Sequence, residues 1–179
     1  MALNKGYLTA KTDKASDEVF TPAYAVKAII PHIPPHYTRI WCPFDAEDSE
    51  YVTILRKAGY EVIASHIDDG KNFFYYQPDE DDYDCIISNP PFSIKDDIIK
   101  RLWELDKPYA ILLTIPSLQG QKRFPYMKDC QAVIFDKRIN YFTNKQTKEI
   151  QKGVSFGSFY LCRRFLEDGD LRFCELEVD

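Results

Sequence analysis

The chain has 179 residues, 45% hydrophobic and 15% aromatic, enough for one well-buried domain and too few for two. No run of 18 apolar residues occurs, and the opening MALNKGYLTAKTDK lacks the apolar core of an export signal, so a soluble cytoplasmic protein without membrane association is expected. The net charge of −5 argues against a polyanionic partner, but residues 121 to 164 hold ten Lys or Arg against three Asp or Glu, a basic third of the kind a nucleic-acid face leaves.

In chain order, residues 1 to 16 are polar and weakly patterned and read as a flexible lead-in to a single domain over residues 17 to 179. Phe20-Thr21-Pro22 then opens a helix, with Thr21 as its cap and Ala25, Val26, Ile29 and Ile30 on its apolar face. His32 and His36 have a metal-like spacing, but Pro34 and Pro35 forbid a shared helical face, so both are expected in a loop. Thr38 to Cys42 is the first strand, Ser49 to Ala58 an amphipathic helix ended by Gly59, and Glu61 to Ser65 the second strand. The acidic run Asp79 to Asp82 with Asp84 reads as a solvated loop, and no metal site is expected.

Cys85-Ile86-Ile87 is short, apolar and β-branched, which predicts an interior strand of a parallel sheet. Asn89 stands at its carboxyl end, the edge where open α/β sheets bind ligands. Pro90 and Pro91 fix two successive φ angles, and Phe92 follows. Such a corner suits a planar group bearing an NH2, with the Asn89 Oδ1 and the Pro90 carbonyl accepting its hydrogens and Phe92 stacking on its face.

Beyond the corner, Ile94 to Leu105 has helical periodicity with Ser93 as its cap, and Tyr109 to Ile115 and Ala132 to Phe135 are apolar strands. Pro116 to Met127 between those strands is a basic loop with a short helix. Asp136 to Gly153 interleaves positive charges with aromatics and amides. That mixture suits phosphates and unstacked bases, although a long solvated hairpin would read the same way. Candidate nucleic-acid contacts are Lys122, Arg123, Lys137, Arg138, Tyr141, Lys145 and Lys148. Ser155 to Phe165 and Leu171 to Val178 complete the strands. Cys42, Cys85, Cys130, Cys162 and Cys174 are odd in number and scattered, as expected for reduced core thiols.

Asn89-Pro90-Pro91-Phe92 after a hydrophobic strand resembles the catalytic motif of the amino-methyltransferases that use S-adenosylmethionine (SAM), chiefly the adenine-N6 DNA methyltransferases of phages and prophages. Phe20-Thr21-Pro22 is similar to the motif with which that family closes over the methionine end of SAM. The resemblance implies a Rossmann-like SAM-dependent methyltransferase fold, an α/β domain whose mostly parallel sheet ends in a carboxyl-terminal antiparallel hairpin. It also implies cofactor contacts at Asp45 and Ser49 after the first strand, at His66 or Asp68 after the second, and at Asn72 and Phe73 around the adenine ring. The family's glycine-rich loop is missing, because residues 43 to 48 contain no glycine. The implied activity is methylation of adenine N6 in duplex DNA. Methylation of RNA adenine or a protein glutamine amide, or a silent nucleic-acid-binding protein of this fold, are the alternatives. A second copy or a separate subunit could supply target reading.

Overall fold

A computed structural model describes residues 20–144, 147, 149–150 and 156–178. The lead-in expected over residues 1 to 16 lies outside the described residues, as do Lys145 and Lys148. Strands β1 (Arg39–Cys42), β2 (Glu61–Ala64), β3 (Cys85–Ser88) and β4 (Tyr109–Thr114) run parallel. Strand β6 (Ser158–Arg163) lies antiparallel between β4 and β5 (Gln131–Phe135), while β7 (Leu171–Cys174) pairs parallel to β5. The resulting order is β2-β1-β3-β4-β6-β5-β7, a Rossmann-like α/β sheet, mostly parallel, with its antiparallel hairpin formed by β5 and β6.

Strand β7 does not extend that hairpin. The chain leaving β6 crosses the start of β5, where Gln131 accepts from the Phe165 and Leu166 N–H groups at 2.9 Å and donates to the Leu166 carbonyl at 2.9 Å. It therefore reaches the far side of β5.

Because β1, β3 and β4 are covered on both faces, alternate residues enter different layers. Ile40, Cys42, Ile87 and Leu112 pack with helices α1 (Ala23–Lys27) and α2 (Glu50–Lys57), whereas Trp41, Ile86, Ile111 and Leu113 pack with α3 (Lys95–Leu105). Helix α2 buries Val52 and Leu55 completely, and each such side chain contributes about 1.5 to 3 kcal/mol. Gly59 at φ 98° then lets the chain turn directly into β2.

Three local expectations change. Thr21 does not cap α1: Pro22 is the residue before the helix and no side chain caps it, while Ile29 enters the core from beyond its end. Ser93 is not the cap of α3 either, since a 3-10 turn, Phe92–Ile94, precedes the helix. Asp84 leaves the solvated acidic loop. Its carboxylate accepts from the Thr38 and Arg39 N–H groups at 2.9 Å and from the Arg39 guanidinium at 2.7 Å, fastening the start of β3 to the start of β1.

The five cysteines are free thiols, three of them buried. Among the described residues no helix is long and apolar enough to cross a membrane, and no group of three or more His, Cys, Asp or Glu is placed to hold a metal ion.

Candidate active site

The chain passes from β1 to β2 on one side, then returns to lay β3 on the other side of β1. The carboxyl ends of β1 and β3 thus flank the point where the strand order reverses, the position at which such sheets bind ligands. Asp45 lies just beyond β1 and Asn89 just beyond β3. The two tips are joined directly, because the Ser88 hydroxyl donates to Asp45 Oδ2. Asp45 is 7% exposed, and its N–H donates to the Ser65 carbonyl at 3.1 Å, so this carboxylate is held by backbone and side chain together.

Ser88 is fully buried, Pro90 buried and Asn89 half-buried, with Asn89 Oδ1 shielded from solvent. Phe92 packs against both hydrophobic layers, where the strand tip ends and the two cores meet. Its ring stands edge-on to Tyr141 at 6.3 Å and to Phe156 at 5.9 Å, and Lys95 Nζ donates to its carbonyl at 3.1 Å.

Phe20-Thr21-Pro22 reaches the same corner through the segment after β5. Phe20 and Phe142 exchange backbone hydrogen bonds at 2.9 and 3.0 Å, and the residue before Phe142 is the Tyr141 that meets Phe92. Thr21 is 7% exposed, and among the described residues its buried Oγ1 has no hydrogen-bond partner. A buried hydroxyl in that state costs stability unless a ligand satisfies it.

On the β2 side, His66 Nδ1 accepts from the Asp68 N–H at 3.3 Å and lies 3.4 Å from Asp68 Oδ2, so both candidates for the ribose hydroxyls share one small cluster. Three other expected cofactor contacts have local roles. Ser49 Oγ caps α2 by accepting from the Val52 N–H at 3.2 Å, and Asn72 Oδ1 accepts from the Phe74 N–H at 2.9 Å. Phe73 is 3% exposed and packs between Trp41, at 5.6 Å, and Phe44, at 4.8 Å, so it fills the core instead of offering a face.

Two residues of the expected nucleic-acid face are corrections. Arg123 is 8% exposed, and its guanidinium donates to the Ser117 carbonyl at 2.6 Å, to the Pro116 and Gln119 carbonyls and to Asp96. Four acceptors converging on one planar cation draw it inside the loop it would otherwise decorate. Tyr141 is fully buried, its hydroxyl donating to Ser158 Oγ at 2.8 Å, and burial raises that hydroxyl above the usual tyrosine range. Ile139 is buried with it, so residues 139 to 142 are not a solvated hairpin. The alternation of Ile139 and Tyr141 with exposed Arg138 and Asn140 was the available signal. Lys122, Lys137 and Arg138 are exposed, and Lys137 pairs with Asp136 at 3.4 Å.

Comparison with protein-family models and with curated proteins finds no match. Among solved structures, the chain is similar to a predicted O-methyltransferase from Agrobacterium tumefaciens, at 10% identity and a TM-score of 0.40, over 86% of this chain and 84% of that one. At that score the likeness does not bear on activity.

Proposed function

We propose that the protein transfers a methyl group from S-adenosylmethionine to the exocyclic N6 amine of adenine in DNA. What supports this reading is that Asn89-Pro90-Pro91-Phe92 and Asp45 stand at the reversal point of the sheet, with Phe20 tied through Phe142 to the neighbouring Tyr141 that meets Phe92. The buried hydroxyl of Thr21 and the buried carboxylate of Asp45 fit the polar methionine end of the cofactor, and His66 with Asp68 would hold its ribose. When bound, S-adenosylmethionine supplies an electrophilic methyl carbon and keeps the electron pair of the broken sulfur–carbon bond.

The protein's own task is to make a poor nucleophile better. The lone pair of the adenine amine is delocalised into the ring. Accepting its two hydrogens at Asn89 Oδ1 and the Pro90 carbonyl localises that pair on nitrogen as it attacks. Pro90 and Pro91 hold these acceptors stiffly, so little reorganisation accompanies the reaction. The displaced proton passes to water, and no strong base is required. Phe92 stacks on the extruded base, offsetting part of the few kcal/mol that flipping costs by about 1 to 3 kcal/mol.

A second reading is favoured by a specific observation. Ser49, Asn72 and Phe73 are engaged by their own turn or core, and the loop after β1 contains no glycine, as a catalytically silent nucleic-acid-binding protein would have it.

Calorimetric titration with S-adenosylmethionine separates the two readings, since absence of heat at millimolar cofactor favours the silent one. Tritiated-methyl transfer to duplex DNA, RNA and protein in parallel then identifies the acceptor. In the same assay Asn89→Ala is expected to abolish transfer and leave cofactor binding intact. Retained transfer would remove Asn89 from the chemistry.

A further inference from the structure

The loop that leaves β4 has an architecture the reading above does not use. Ser88 is level with Ile111 in the parallel register, so β4 continues three residues beyond the end of β3, roughly 10 Å at strand rise. The loop therefore begins above the Asn89 corner, on the same edge of the sheet. It is rigidly built. The Arg123 guanidinium binds three of its carbonyls, at Pro116, Ser117 and Gln119, and pairs with Asp96 of α3, the helix that follows the corner. Gly120 lies against that guanidinium so closely that a Cβ there would overlap it.

This scaffold displays apolar side chains to solvent. Leu118 is 44% exposed and Phe124 63% exposed, and with Gln119, Gly120 and Gln121 they line a surface groove of about 490 Å³. Lys122 and Lys128 are within four residues of Phe124 in sequence, both exposed, and residues 116 to 130 contain one acid, Asp129. Neither lysine makes an ion pair among the described residues. Exposed apolar groups on a stiff loop that also carries exposed cations suit a polyanion whose interior is apolar. In duplex DNA the lysines would meet phosphates and the apolar pair the stacked bases.

Resting on the reading of the substrate as duplex DNA, we infer that Leu118 and Phe124 form a wedge that enters the base stack beside the Asn89 corner and holds it open while the target adenine is out. Gln119 and Gln121, which line the same groove, carry amides able to meet base edges.

The test is binding of a fluorescein-labelled mixed-sequence duplex, and of one strand of it alone, followed by anisotropy across a salt series. The double variant Leu118→Ala/Phe124→Ala changes only exposed side chains, so the fold is retained, as circular dichroism would verify. It is expected to weaken duplex binding about tenfold, to affect the single strand less, and to leave the dependence of log K on log salt unchanged. Lys122→Ala/Lys128→Ala should instead flatten that dependence by about 2. Duplex affinity of the apolar double variant within about twofold of wild type overturns the wedge while leaving the DNA reading standing. Wild-type protein that ignores the duplex, or prefers RNA of the same sequence, overturns the DNA reading and the wedge with it.

Discussion

The Ser88 hydroxyl donates to the Asp45 carboxylate, so the last residue of β3 closes onto the turn after β1 at the base of the candidate site. Both residues are buried, and a buried carboxylate that loses a donor loses a charge-assisted bond worth about 1.5 to 3 kcal/mol. Ser88→Ala is accordingly expected to lower unfolding free energy by about that amount in urea titration. If Asp45 holds the methionine end of the cofactor, the same variant should weaken S-adenosylmethionine binding by about three- to tenfold. Unchanged stability would show that the contact does not persist in solution.

Tyr51 and Tyr160 meet hydroxyl to hydroxyl at 2.8 Å, fully buried, and the Tyr160 hydroxyl also donates to the Ala25 carbonyl at 3.1 Å. A carbonyl can only accept, so the single Tyr160 proton points at Ala25 and the Tyr51 proton fills the other contact. The substitutions are therefore unequal. Tyr160→Phe leaves both the Ala25 carbonyl and the Tyr51 hydroxyl buried without partners, and should cost about 2 to 4 kcal/mol; Tyr51→Phe removes one donor and should cost about 1 kcal/mol. Denaturant unfolding of both variants checks the order, and equal losses would overturn the assigned direction.

What the sequence could and could not tell follows from range. Cys85-Ile86-Ile87 announces a buried parallel strand because an apolar, β-branched run is a local property, and Asn89 follows it by adjacency alone. Ser49 before an amphipathic run likewise marks the start of α2, and the structure has it as the cap. The fate of Arg123 was not readable in this way, because its acceptors at Pro116, Ser117 and Gln119 take shape only when the loop folds and Asp96 is 27 residues away. The fastening role of Asp84 is hidden in the sequence for a related reason. Asp84 ends an acidic run that solvates well, and nothing nearby in sequence says that Arg39 will lie beside it.

Burial raises the thiol pKa of Cys42, Cys85 and Cys162 well above the ordinary cysteine range, and these three are fully enclosed. Cys130 and Cys174 are raised by burial as well, but both are partly exposed. Because the thiolate is the reacting form, iodoacetamide at mildly alkaline pH should alkylate Cys130 and Cys174 slowly in the native protein, and the other three only after unfolding. Peptide mass mapping before and after guanidinium treatment reads this out. Native labelling of Cys42 or Cys85 at the rate of Cys174 would mean that the sheet opens between β1 and β3.

Asp84 gives the clearest pH dependence. Partial burial pushes its carboxyl up, but the Arg39 guanidinium and the Thr38 and Arg39 N–H groups outweigh that and bring it down to about 2. Since the folded value lies below the unfolded value of about 3.9, the native state holds the proton less tightly than the unfolded chain. The resulting stability is fully present above about pH 5 and is lost as pH falls from there through about 2. Arg39 is 41% exposed, so solvent screens the pair and the contribution is about 1 to 2 kcal/mol. Asp84→Asn should remove this part of the acid sensitivity: the wild-type and variant unfolding curves, separated at pH 7, should converge toward pH 2. A gap that stays constant across that range would assign the acid response to other carboxylates.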